Sequence, residues 1–164
     1  MTEPADLHLN PGDFRFAGGD VRLHTLLGSC VAITLWHPGR RIGGMCHYLL
    51  PGRHPAATAP RLDGRYAVDA VAMFRQEVDR HGTAPWEYVV KVFGGADQFP
   101  GIGGPLAGVA GDNARAGLDL LARYGFTVSR CELGGRGSRR LIFELATGDV
   151  WLRALEPFGD RAAS

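Results

Sequence analysis

The chain has 164 residues, with 18 Lys and Arg against 17 Asp and Glu. That length fits one domain able to bury roughly 70% of its unfolded surface, and the charge balance offers no field that would gather nucleic acid or an anionic membrane. No apolar run reaches the ~18 residues of a membrane span, and the opening MTEPADLHLNPGDFRF is acidic without an apolar h-region, so a cytosolic protein without membrane insertion is expected.

The first elements in chain order are VRLHTLL, VAITLW and RIGGMCHYLL, separated by Gly-Ser and by His-Pro-Gly; their β-branched and large apolar residues predict three adjacent strands. Pro51 to Arg65, PGRHPAATAPRLDGR, reads as a loop of the same domain. From Tyr66 the period changes: Ala67, Ala70, Val71, Phe74 and Val78 recur at helical spacing, and Gly82 supplies a stop. WEYVVKVF, Trp86 to Phe93, is a strand running into the Gly-rich GGADQFPGIGGPLAG. Asp112 or Asn113 is placed to cap a second helix, with Ala114, Leu118, Leu121 and Ala122 on one face and Gly125 closing it. FTVSRCEL is a further strand, and LIFELA and DVWLRAL form a hairpin around Thr147-Gly148. This order is neither βαβ alternation nor all-β. It gives an α+β class, with two main helices packed on a mixed or antiparallel sheet in one domain spanning 1–164.

Three cysteines, Cys30, Cys46 and Cys131, are an odd number without CxxC spacing, so they read as reduced thiols rather than a disulfide framework or a zinc ribbon. Cys30 follows Gly28 and Ser29 in HTLLGSCVAITLW, where a tight turn can leave backbone N–H groups pointing outward beside a nucleophile. A thiol of ordinary pKa, about 8.5, is only about 3% thiolate at pH 7; bringing it to about 6.5 takes roughly 2.7 kcal/mol, for which an imidazole is the usual source. Of six histidines, His47 is the best partner. If VAITLW and RIGGMCHYLL pair antiparallel, it returns beside Cys30 on the face of Met45 and Leu49, while Cys46 and Tyr48 face the other way. The residues by themselves leave open a buried cysteine beside an unrelated strand histidine.

The same stretch, with IGGMCHYLLP after it, resembles the signature of the CheD family, the chemoreceptor glutamine deamidases of bacterial chemotaxis. KVFGGADQF resembles that family's Lys-x-x-Gly-Gly-Ala loop, GDNARAGLDLL its Gly-x-x-Asn helix start, and ELGGRGSRR with the strands around TGDV its closing segment, so the likeness runs over roughly residues 11–155. The resemblance implies a protein-glutamine glutaminase that converts receptor glutamine side chains to glutamate with release of ammonia. Cys30 is then the nucleophile and His47 the general base and acid, with no metal or organic cofactor required. The Cys30 N–H is the candidate oxyanion donor. It also implies chemoreceptor cytoplasmic domains as partners and, for some relatives, the CheC phosphatase, for which a non-catalytic adaptor would be the alternative function.

The family often carries two threonines before Leu-Leu-Gly-Ser-Cys, one of which orients the histidine; this chain has His24 then Thr25. Counting back from Cys30 assigns the role to the first position, hence His24, and turns Thr25 to the opposite face. Either His24 substitutes, or an irregularity brings Thr25 round, or the third group is weak; Thr25 is taken as the third group with His24 as its rival, beside the equal alternatives of a solvent-facing His24 and a strand-stabilising Thr25. Gly94 and Gly95, with Gly28 and Ser29, are the candidates for shaping the substrate groove. The loop around Gly101-Ile102-Gly103 lacks a third glycine for GxGxxG and has no Gly-Lys-Ser or Gly-Lys-Thr, so nucleotide binding is not expected. RGSRR, Arg136 to Arg140, reads as a solvated turn or a receptor contact, and His54 and His81 as surface residues. Cys30, Cys46 and His47 alternate faces, a poor geometry for tetrahedral zinc.

Overall fold

A computed structural model describes residues 3–54, 61–96 and 108–155. Nine strands and two principal helices follow in the order β1 Ala5–His8, β2 Phe14–Gly18, β3 Val21–Leu27, β4 Val31–His37, β5 Ile42–Tyr48, α1 Ala67–Arg80, β6 Val89–Gly94, α2 Gly108–Arg123, β7 Val128–Leu133, β8 Arg139–Glu144 and β9 Val150–Ala154. The strands make two mixed sheets, β1-β3-β8-β9 and β2-β5-β4-β6-β7. The class is α+β, with the helices against the five-stranded sheet.

β4 explains the layering. Val31, Ile33 and Leu35 join Cys46, Tyr48, Val90 and Val92 in a core shared with Ala67, Ala70, Val71, Phe74 and Val78 of α1 and Leu121 of α2. Ala32 instead joins Met45 and Phe93 against Leu23, Leu27, Leu141 and Phe143 of the other sheet. A strand buried on both faces needs no polar alternation, and in VAITLW the one polar residue, Thr34, is itself buried. α1 buries the five residues that its spacing picks out, and Gly82 leaves it with φ +67°.

Several elements differ from the sequence reading. VRLHTLL is not beside VAITLW: β3 pairs with β1 and β8, while β4 pairs with β5 and β6. Gly28–Cys30 is therefore the crossing from one sheet to the other. β1 and β2 carry no strand signal in the sequence because they are short, half-exposed edge strands without an apolar run. α2 is already helical at Gly108, so Asp112 and Asn113 lie inside it rather than at its cap, and Ala122 is exposed. Trp86 sits in a 3₁₀ turn, Pro85–Glu87, ahead of β6. The β8-β9 pair is antiparallel as expected, but its loop runs from Leu145 to Asp149, closed by Gly148 N–H donating to the Glu144 carbonyl at 2.8 Å. The Gly-rich loop from 97 to 107, including Gly101–Gly103, lies outside the described residues.

Candidate active site

The β4-β5 register pairs Val31 with Tyr48 and Ala32 with His47. Cys30, one residue before β4, is thus a diagonal neighbour of His47 across the ladder. Strand alternation fixes the faces: Cys46 and Tyr48 go to the helix-side core, while Met45 and Ala32 go to the core between the sheets, against which half-buried Cys30 also packs. His47 points between the sheets with them. Two backbone bonds hold it from the β1-β2 connection, Gly12 N–H to the His47 carbonyl at 2.7 Å and His47 N–H to the Asp13 carbonyl at 3.2 Å.

The side chain that meets His47 comes from the opposite sheet. Thr25 lies between Leu23 and Leu27, both buried, so it faces inward and brings its Oγ1 to 2.7 Å from His47 Nδ1. The same hydroxyl donates to the Leu9 carbonyl at 2.8 Å. A hydroxyl has one proton, and a carbonyl can only accept. With that proton committed to Leu9, Thr25 must accept from Nδ1–H, which leaves the lone pair of His47 on Nε2. Nε2 is buried and makes no hydrogen bond among the described residues, to Cys30 or any other. His24, the position reached by counting back, does not meet His47: its Nε2 donates to Asp6 at 2.7 Å and its ring stacks on His8. Alternation put the two on opposite faces, as expected, but with Thr25 rather than His24 inward.

Burial lowers the His47 pKa to about 4, opposed by the Asp13 carboxylate, so the ring is neutral at pH 7. Burial also raises the Cys30 thiol, with a smaller opposing effect from a Ser29 hydrogen bond. The resting pair is therefore neutral thiol beside neutral imidazole. This reverses the expectation that the imidazole holds Cys30 as a thiolate at rest: a desolvated ring cannot keep the charge that would do so. Cys46, wholly buried, is pushed up to about 12.

Gly94 and Gly95 press on the backbone of Cys30. Gly94 pairs with Val31 at φ +114°, and a Cβ there would lie 2.2 Å from the Cys30 carbonyl oxygen. Gly95 N–H donates to that oxygen at 2.9 Å, and Ala96 N–H to the Gly28 carbonyl at 3.0 Å. The left-handed backbone thus lies in this facing pair and not in Gly28–Cys30. Arg139 is no solvated turn residue: its guanidinium donates to the carbonyls of Gly94 at 3.3 Å, Glu132 at 3.1 Å and Gly134. Asn113, missed as a site residue, is wholly buried and donates from Nδ2 to the carbonyls of Leu49 at 2.8 Å and Ser29 at 3.3 Å. Its sequence signal is a polar side chain in an apolar slot, among Ala110, Ala114, Gly117 and Leu121. Among the described residues no three His, Cys, Asp or Glu side chains are grouped to hold a metal, and no helix is long and apolar enough to cross a membrane.

A family model described as CheD chemotactic sensory transduction matches residues 49–154. Over 152 residues the chain is 46% identical to a probable chemoreceptor glutamine deamidase CheD 3 of Dechloromonas aromatica, covering 91% of this chain and 89% of the relative. The chain belongs to the CheD family. It is also 45% identical to a probable chemoreceptor glutamine deamidase CheD of Pseudomonas savastanoi, over 91% of this chain and 84% of that one. A CheD relative from Leptospira interrogans is 34% identical over 92% and 93% of the two chains. The family-model match begins two residues after His47, so Thr25, Cys30 and His47 fall in the part of this CheD chain that only the full-length relatives span.

Proposed function

We propose that this chain is a chemoreceptor glutamine deamidase in which Cys30 is the nucleophile, His47 the general base and acid, and Thr25 the group that orients the imidazole. The observation that carries the reading is the chain from the Leu9 carbonyl through the Thr25 hydroxyl to His47 Nδ1, because it dictates a tautomer whose free lone pair can take a thiol proton. Its substrate is the carboxamide of chemoreceptor glutamine side chains, the target that the names of its relatives state for them, here assigned to the receptor's cytoplasmic part.

The chemistry follows from the neutral resting pair. Nε2 takes the Cys30 proton as sulfur attacks the carboxamide carbon, giving a tetrahedral oxyanion. The Cys30 N–H, which makes no backbone hydrogen bond among the described residues, is the donor assigned to that oxygen in this reading. The proton on Nε2 then passes to the departing nitrogen, the C–N bond breaks, and ammonia leaves a thioester on Cys30. Water attacks that thioester as Nε2 removes its proton; the C–S bond breaks, the sulfur regains a proton, and the side chain is now glutamate. In unliganded sites of this kind the bond between nucleophile and base is commonly long and tightens with substrate.

Incubating wild type and the Cys30→Ala variant with a receptor cytoplasmic fragment, and reading Gln-to-Glu conversion by peptide mass spectrometry, tests the reading. Conversion by wild type alone is expected. A receptor fragment left unchanged by wild type contradicts it.

A further inference from the structure

The β4-β5 ladder ends at Val31 and Tyr48. Past that pair the strands part. The Leu49 and Leu50 N–H groups turn to the Arg65 carbonyl, at 2.8 and 3.1 Å, and the chain on the β4 side bends into the Gly28–Cys30 crossing. The carbonyls of Ser29 and Leu49 are left without a strand partner at the point of parting, one covalently adjacent to Cys30 and the other two residues beyond His47. A single side chain serves both: the Asn113 amide from α2.

The helix is held in place to do so. The hydroxyl of Tyr48, the residue after His47, donates to the Asn113 backbone carbonyl at 2.6 Å. α2 comes this close because Gly117 has no side chain: a Cβ there would lie 2.3 Å from the Tyr48 oxygen. The neighbours of both site residues therefore converge on one helical residue. Its chemistry is specific. Two donors on a short stem are needed; Ser or Thr has one, ionised Asp has none and would set a carboxylate against two carbonyls, and Gln is one carbon longer.

We propose that Asn113 is a positioning residue, whose amide fixes where the Cys30 turn leaves the sheet and thereby the placement of Cys30 relative to His47. The inference rests on the assignment of these two as nucleophile and base. Removing the amide takes the donor from two partly buried carbonyls and frees the turn to shift, and a displacement of about 1 Å in reacting groups costs on the order of 100-fold in rate.

The test compares Asn113→Ala and Asn113→Asp with Leu121→Ala, which loosens the same helix through a fully buried apolar residue that can donate to neither carbonyl. Deamidation of a receptor fragment should show kcat reduced by about 30- to 100-fold in both Asn113 variants with KM changed by less than about threefold. Leu121→Ala should lower the melting temperature yet keep kcat within about threefold of wild type. A folded Asn113→Ala protein with wild-type kcat, or an equal kcat loss in Leu121→Ala, overturns the proposal. Two further arms separate its failure from that of the catalytic reading or of folding. Iodoacetamide alkylation of Cys30 needs no turnover, and its pH profile should move in Asn113→Ala and stay fixed in Leu121→Ala; an unmoved profile counts against the role. In wild type the only side-chain amides are those of Asn10, Gln76, Gln98 and Asn113. Alkylating Cys30 should shift the Asn113 amide resonances more than the other three, and unmoved Asn113 resonances overturn the proposal.

Discussion

Replacing Thr25 with valine keeps the shape of the side chain and deletes its hydroxyl. The residue is 4% exposed, so water cannot replace what is lost, and both the Leu9 carbonyl and His47 Nδ1–H are stranded. Each unpaired buried group costs about 1–3 kcal/mol, and partial rotation of the ring recovers some of it, which sets the expected loss at about 2–4 kcal/mol. For a chain of this length that is a fall of roughly 4–16 °C in melting temperature. The base remains but its ring is no longer held, so kcat should drop toward the low end of general acid–base contributions, about 100-fold, with KM little changed. Thr25→Ser keeps a hydroxyl and should recover most of this; His24→Ala, which disturbs only the contacts to Asp6 and His8, should turn over like wild type. The assays are deamidation kinetics, thermal unfolding and the ¹⁵N spectrum of His47. A Thr25→Val enzyme with wild-type kcat, or a wild-type spectrum showing the proton on Nε2, would refute the reasoning.

His47 is protonated near pH 6.5 when unfolded but only near pH 4 when folded, so the unfolded chain binds more protons between these values. Stability should accordingly fall as pH drops through that window, by up to roughly 3 kcal/mol, and urea titrations of His47→Gln should lack this slope. Alkylation of the folded protein should label exposed Cys131 and half-buried Cys30 and spare Cys46, with the Cys30 rate still climbing above pH 9, as peptide mapping will show; rapid labelling of Cys46 would contradict its burial. Gly94→Ala forces a Cβ onto the Cys30 carbonyl at a φ that disfavours it. It should cost at least about 1–3 kcal/mol and lower kcat, whereas an unchanged unfolding midpoint would show that the backbone there has room.

How far the sequence led can be followed residue by residue. The antiparallel return of His47 toward Cys30, and the opposite orientation of Cys46, follow from alternation alone, because a period of two assigns faces once the pairing is right. Alternation does not say which sheet a strand joins, so VRLHTLL went to the wrong one. Nor does it say which face is inner when both carry apolar residues: Leu23 and Leu27 flank Thr25, but exposed Leu26 follows His24, and only burial decides between them. The Leu9 carbonyl was beyond reach, since a main-chain acceptor has no sequence signature. Asn113 had a signal, a polar residue at core spacing, that a capping role absorbed too readily. The pKa directions depended on desolvation, and desolvation is a property of the packed site.

Covalent catalysis by Cys30 with His47 passes through an intermediate that can be trapped. Acid-quenching the enzyme during turnover of a receptor fragment and searching by mass spectrometry for a receptor glutamyl thioester tests it most directly. A hydroxylamine-sensitive adduct on the Cys30 peptide is expected, absent from Cys30→Ala and not formed at a useful rate by His47→Ala. Deamidation that proceeds undiminished in Cys30→Ala, with no adduct in wild type, would contradict it.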